Sequence, residues 1–283
     1  MYTNDGSGRA PGLRCYFNLL ALNGLPARAD WLAALAEARY DGAQFVEPLT
    51  AGQAASCEQL GLGCAGGGRI NMPAEADPLA ARLKDEGMEC ATVHVGWGME
   101  DDVEVARLIE ATLAAEEKHR LPIYFETHRA TIFQDMWRTV QFVRRFPEIR
   151  FNIDLSHWYT GQEMVYGGVE KKLTFIEPVL ERAGFIHGRI GNPGCMQVNL
   201  DDGDEGRHPY IAHFRAMWTR CFAEFKKHAG AGDYICFTTE LLAPDIYYGR
   251  VFPHADGVLA EECDRWEQSL LLCRIARRCF AEA

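Results

Sequence analysis

No run of basic residues stands out in this 283-residue chain, whose formal net charge is −11. Phosphate backbones are gripped by clustered Lys and Arg, so a nucleic-acid partner is disfavoured. The ten cysteines include no CxxC pair and no compact, even framework. A chain of this length stabilises itself without disulfide staples, and reduced thiols in the cytoplasm are the expectation. No apolar run approaches the roughly 20 residues that a helix needs to cross a bilayer, which argues against a membrane partner. Residues 1–12 lack an apolar segment and read as a flexible leader rather than a signal peptide. P-loop and GxGxxG patterns are absent, as are low-complexity segments and any internal repeat beyond a β/α unit.

What the chain does have is an ordinary globular balance, with 48% apolar and 24% charged residues. Its length suits a single β/α domain, expected over residues 13–283. Residues 121–160 read LPIYFETHRATIFQDMWRTVQFVRRFPEIRFNIDLSHWYT, a strand ending in a carboxylate, a helix, and a second strand ending in a carboxylate. Alternation puts Tyr124 and Glu126 on one face, with His128 following, and pairs Asn152 with Asp154. Ile132, Met136, Val140 and Val143 fall near helical spacing, and Pro147 stops that helix.

The same pattern runs through the chain. Further strands are expected at 13–19, 43–47, 89–95, 185–190 and 234–240, with a vestigial one at 197–200. Helices are expected near 26–38, 76–86, 101–118, 170–182, 210–228 and 259–280. This predicts a (β/α)8 TIM barrel, in which strand ends from distant parts of the sequence gather at one rim. Residues 50–73, with Gly66, Gly67 and Gly68, read as a long loop and a candidate lid.

Four strands end in hard-metal ligands: Glu126, Asp154, His187 and Glu240. An isolated acid in such a place is as readily a helix N-cap. The separations of 28, 33 and 53 residues, however, match one, one and two β/α units. Three carboxylates and an imidazole suit one divalent ion, Mn²⁺ ahead of Mg²⁺ or Co²⁺. Glu47, His94 and His128 sit at other strand ends and can line the same pocket, while Trp97, Trp158 and Tyr159 can wall a sugar face.

The motifs FETHR, NIDLSHW, IHGRIG and TTELLAP resemble those of the xylose isomerase-like TIM barrels, a superfamily of sugar isomerases and ketose 3-epimerases, and the likeness runs from about residue 13 to the end. The resemblance implies a metal held by Glu126, Asp154, His187 and Glu240 at the fourth, fifth, sixth and eighth strands. It also implies that His157 and Arg189 hold substrate oxygens, although the corresponding Arg of the best-known epimerases lies further from the metal His. Such a site removes a proton beside a carbonyl through an enediolate, with Glu126 and Glu240 as the two catalytic carboxylates. The expected activity is therefore isomerisation or epimerisation of a small sugar or sugar derivative, in a chain compatible with a homo-oligomer.

The alternative from the same site is a metal-dependent dehydratase or lyase acting on a keto-sugar, keto-glycoside or cyclitol. A nucleic-acid repair enzyme fits less well, because Glu47 rather than a His closes the second strand and the net charge is negative. A non-catalytic barrel subunit would have no need of a full ligand set. The acidic residues Asp201, Asp202, Asp204 and Glu205 weigh against a phosphorylated substrate.

Overall fold

The computed structural model describes residues 1–26, 30–201, 208–253 and 256–283. Eight parallel strands run in order around a barrel: β2 (Gly12–Asn18), β3 (Gly42–Phe45), β4 (Gly63–Ile70), β5 (Cys90–Val95), β6 (Ile123–Glu126), β7 (Phe151–Ile153), β8 (Ala183–Gly188) and β9 (Asp233–Thr239). Pairing of β9 with both β8 and β2 closes it, for example His187 with Thr238 and Tyr16 with Thr238. Helices follow the strands and bury their apolar stripes on the outside: α1 (Trp31–Glu37), α2 (Ala51–Leu60), α3 (Ala76–Asp85), α4 (Asp102–His119), α5 (Met136–Arg145), α6 (Leu155–Gly161), α7 (Val169–Leu180), α8 (Pro209–His228) and α9 (Arg265–Glu282). No helix among the described residues is long and apolar enough to cross a membrane.

Strand periodicity divides the barrel interior into layers. Tyr16, Ala65, Cys90, Tyr124, Phe185, Tyr234 and Cys236 form an apolar plug at the lower end. Two residues further along each strand, the same inward parity is occupied by Asn18, Thr92, Glu126, His187 and Thr238. The plug therefore lifts the polar layer to the carboxyl rim, where it builds a site.

Several expectations are corrected. The glycine-rich segment at 50–73 is not a lid: it is α2 followed by barrel strand β4. Its glycines make room for packing on both sides of the sheet. A Cβ on Gly68 would lie 2.8 Å from both methyl carbons of Leu79 on α3, and one on Gly63 would collide with the Tyr16 hydroxyl. No strand forms at 197–200, because the barrel is already closed by β8 and β9. Glu126, Asp154, His187 and Glu240 thus end the fifth to eighth barrel strands, and the 53-residue gap from His187 to Glu240 is one unit with a long insertion.

Residues 259–264 precede α9 rather than belonging to it, since Leu259–Glu261 (β11) pairs with Val251–Pro253 (β10) in a hairpin and Asp264 caps the helix. The segment expected to be a leader carries Thr3–Asn4 (β1), which pairs antiparallel with β9; the Thr3 N–H donates to the buried Tyr124 hydroxyl at 2.9 Å. Of the acidic stretch, Asp202, Asp204 and Glu205 lie outside the described residues, as does part of the helix expected at 26–38.

Gly63→Ala tests the barrel floor. The added methyl must push Tyr16 away from Glu89, to which its hydroxyl donates at 2.5 Å. Overpacking of this kind costs about 1–3 kcal/mol. An unchanged urea midpoint would show that the floor yields instead.

Candidate functional site

Glu126 closes β6 on the inward parity and is 3% exposed. Asn152, inward on β7, donates to its Oε2 at 3.0 Å, and His94 Nε2 lies 3.2 Å from the same oxygen. Asp154 follows β7 and has two uses. Its Oδ1 caps α6, accepting from Ser156 N–H at 3.0 Å and Ser156 Oγ at 2.5 Å, while Oδ2 faces Arg189 Nη2 in a short ion pair. The capping role that an isolated acid suggests is real here, and it fixes the carboxylate in the site. Glu240, just after β9, accepts from Asn18 Nδ2 at 3.1 Å and lies 3.1 Å from Arg189 Nη2.

His187 joins these acids through Gln44, a residue that sequence reasoning missed. Gln44 donates from Nε2 to Thr92 Oγ1 at 2.8 Å, so its Oε1 must accept, from Asn18 at 3.1 Å and from His187 Nε2 at 3.0 Å. That assigns the Nε2 hydrogen of His187 and turns Nδ1 toward the carboxylates. Nδ1 lies 3.3 Å from Glu126 Oε2 and 3.4 Å from Glu240 Oε2, and it is buried with no hydrogen-bond partner. A lone pair cannot rest there unless a proton or a cation separates it from the oxygens. Burial opposes a charge on His187, but Glu240 and Glu126 prevail and hold its pKa up at about 9. Burial pushes the Glu240 carboxyl up, against His187 and Arg189; burial also acts to raise Glu126, but His94 and His187 hold it well below the usual carboxylate range.

Ligand atoms of Glu126, Asp154, His187 and Glu240 all lie within 4.8 Å of one another. Oxygen and nitrogen donors at about 2.0–2.6 Å from a common ion require such separations. Together with the unpartnered His187 Nδ1, this cluster fits a hard divalent cation.

A second group, His94, Glu126 and His128, is equally close, but its lone pairs are spent. Arg69 Nη2 donates to His94 Nδ1 at 3.1 Å, and Ala130 N–H donates to His128 Nδ1 at 3.0 Å. The other nitrogens are taken up as well, His94 Nε2 facing Glu126 Oε2 at 3.2 Å and His128 Nε2 lying 3.5 Å from the Tyr248 hydroxyl, so neither ring stands open as a ligand. Burial keeps His128 neutral, its pKa lowered to about 3. Burial, then His128 and Arg189, likewise hold His157 well below its ordinary value; its Nε2 lies 3.6 Å from Asp154 Oδ2 and 3.4 Å from Arg189 Nη2.

These groups surround a cavity of about 310 Å³ lined by Glu126, His187, Glu240, His94, His128, Asn18, Gln44, Arg69 and Tyr248. Tyr248, also unforeseen as a site residue, places its ring 4.7 Å from the Arg189 guanidinium carbon. Glu47 is not part of this cavity. It is exposed beyond the end of β3, on the parity opposite Gln44, which takes the inward place. Trp158 and Tyr159 are not walls either, because both are fully buried, with Trp158 Nε1 donating to Phe133 O at 3.0 Å and the Tyr159 hydroxyl 2.8 Å from His213. Trp97 is half exposed and does not line the cavity; it stacks on Arg69, 3.9 Å from ring centroid to guanidinium carbon.

No family model and no curated protein matches the sequence. Among solved structures, a xylose isomerase domain protein from Planctomyces limnophilus is similar at a TM-score of 0.59 and 14% identity, covering 97% of this chain and 100% of that one. A D-tagatose 3-epimerase-like protein aligns at 0.55 and 11% identity over 95% and 98% of the two chains. The probable 3-DHS dehydratase AsbF from Bacillus anthracis aligns at 0.51 and 10% identity over 80% and 92%. The chain therefore has the (β/α)8 fold of the xylose isomerase-like barrels.

Proposed function

We propose that the protein is a divalent-metal-dependent isomerase or epimerase of a sugar or sugar derivative. The observation that carries this reading is the convergence of Glu126 and Glu240, both lining one cavity, on His187 Nδ1, 3.3 and 3.4 Å away. A divalent ion held by Glu126, Asp154, His187 and Glu240, with Mn²⁺ the best match, would supply Lewis-acid polarisation of neighbouring substrate oxygens. The protein's own groups do the rest. Glu240, partly buried and pushed toward a higher pKa by desolvation, takes the proton from the carbon beside the substrate carbonyl. Glu126 returns a proton, on the opposite face for epimerisation. His157 and Arg189, both buried and outside the cavity lining, hold Asp154 and Glu240 in position, and Tyr248 lines the cavity with its ring beside Arg189. The test is solvent deuterium incorporation with Mn²⁺-loaded protein across ketoses, keto-glycosides and cyclitols. Exchange at a carbon next to the carbonyl is expected; its absence from every member of the panel would overturn the reading.

The same geometry makes metal-free stability depend on pH. His187 has its folded pKa raised from 6.5 to about 9. Its contribution is therefore fully present below about pH 6.5 and is lost as pH rises through about 9. EDTA-treated protein is expected to melt at progressively lower temperature over that interval. Mn²⁺ should restore the melting temperature, since binding only the native state adds about 2.7 kcal/mol at a hundredfold excess over Kd. An unchanged melting temperature on adding Mn²⁺ would count against a bound ion.

A further inference from the structure

Arg69 stands on the inward parity of β4, two residues beyond Gly67, and lines the cavity. It is fixed from behind. Nη1 donates to Gly96 O at 2.7 Å and to Ala130 O at 3.4 Å, Nη2 donates to His94 Nδ1 at 3.1 Å, and Trp97 stacks on the guanidinium plane. A guanidinium has five N–H donors, so Nε–H and one Nη2–H have no acceptor among the described residues. Those two hydrogens are a fork of the kind that takes a carboxylate side-on. Glu100 lies nearby without filling it, because its oxygens accept from the Trp97 and Gly98 N–H groups at 2.8 Å and it makes no ion pair with Arg69.

The charges in the site point the same way. Glu126, Asp154 and Glu240 set three negative charges against the positive charge of Arg189, and a divalent ion balances the rest. Arg69 adds a cation at the cavity wall, partly withdrawn from water, whose nearest acids, Glu126 and Glu100, do not form an ion pair with it.

We propose that Arg69 binds a carboxylate of the substrate, which is therefore a monoanionic sugar acid of the ketouronate kind and not a neutral ketose. The proposal rests on the isomerase reading of the same cavity and narrows it to a substrate class. Arg69 and Glu126 contact opposite nitrogens of the His94 ring, so the anion sits one imidazole width from the reacting carbon. The carboxylate thus belongs to the distal end of the molecule and is not the group that meets the metal. A phosphate monoester fits less well, since its nearly two charges and three acceptor oxygens exceed what one guanidinium fork can satisfy.

The test uses isothermal titration of the Mn²⁺-loaded protein with matched probes: D-fructuronate and D-tagaturonate against D-fructose and D-tagatose, with D-fructose 6-phosphate as the phosphate arm. A charge-assisted pair of hydrogen bonds should favour a ketouronate over its parent ketose by about tenfold or more. Arg69→Met should reduce that ratio to about threefold or less, and Arg69→Lys, which keeps the charge but loses the fork, should retain part of it. A melting temperature for Arg69→Met near that of the wild type separates recognition from folding. Equal affinity for acid and parent sugar, an unchanged ratio in Arg69→Met, or a preference for the phosphate would overturn the carboxylate proposal. Deuterium exchange on the same probes keeps the two ideas apart. Exchange into ketose and ketouronate alike without any affinity difference overturns the carboxylate alone, whereas a ketouronate preference lost in Arg69→Met, with no exchange into any probe, upholds it and overturns proton abstraction. Failure of every probe to bind overturns both.

Discussion

Glu240→Gln is expected to lower kcat at least about a hundredfold while leaving metal binding measurable. The amide keeps a carbonyl oxygen that can ligate a hard cation, though more weakly, and it can still accept from Asn18, which donates to Glu240 Oε1 at 3.1 Å. What it cannot do is accept a proton from carbon. Glu126→Gln should behave in the same way if the two carboxylates act on opposite faces. For an epimerase, one of the two variants should still exchange the proton it can reach with solvent deuterium while failing to invert the centre. Metal retention is read by titration calorimetry and turnover on the best substrate of the exchange panel. If Glu240→Gln keeps more than about a tenth of wild-type kcat, the loss is under ~1.4 kcal/mol, too small for removal of a general base. The two-carboxylate mechanism would then fail even with the metal in place.

The acids of this site are legible in the sequence because a barrel strand repeats every two residues and turns polar only at its rim. Glu126 and Asn152 stand out from apolar strands for that reason, and the tertiary pairing puts them 3.0 Å apart. Parity explains the misreading of Glu47 as well. Counting to the end of an apolar run finds the last polar residue, whereas the inward one is Gln44, buried at 1% exposure and reachable only by following alternation from the plug. Strand β4 was hidden by its composition. Its glycines answer to Tyr16 inside the barrel and to α3 outside, contacts that no local propensity reveals. Missing β4 also hid Arg69. The expected count of eight strands is reached only because the omission of β4 is offset by the strand wrongly placed at 197–200. Gln197 in that segment serves the rim instead, since its side chain exchanges hydrogen bonds with the Leu242 backbone at 3.1 and 2.9 Å and steadies the loop that carries Glu240.

Arg189→Met is expected to destabilise the metal-free protein by about 3–5 kcal/mol, the usual consequence of removing one partner from a buried charge network. Arg189 is 1% exposed and holds both Asp154 Oδ2 and Glu240 Oε2 through Nη2, while Nε donates to Ser156 Oγ at 3.2 Å and Nη1 to Glu240 O at 3.3 Å. Methionine fills comparable space but answers none of these acceptors. Lost packing alone would be a small effect, since a flexible apolar chain replaces an aliphatic stem. The orphaned carboxylate is the larger one, and two measurements separate them. Asp154→Asn added to Arg189→Met should recover part of the loss, because the amide has no charge to strand. Saturating Mn²⁺ should narrow the gap to wild type, because the ion takes over neutralisation of Asp154 and Glu240. Urea midpoints measured with EDTA and with Mn²⁺ read both effects. A metal-free loss below about 1 kcal/mol, in the range of an exposed ion pair, would mean that Arg189 is not the countercharge that holds these acids together; the placement of the metal ligands by the fold would then need another cause.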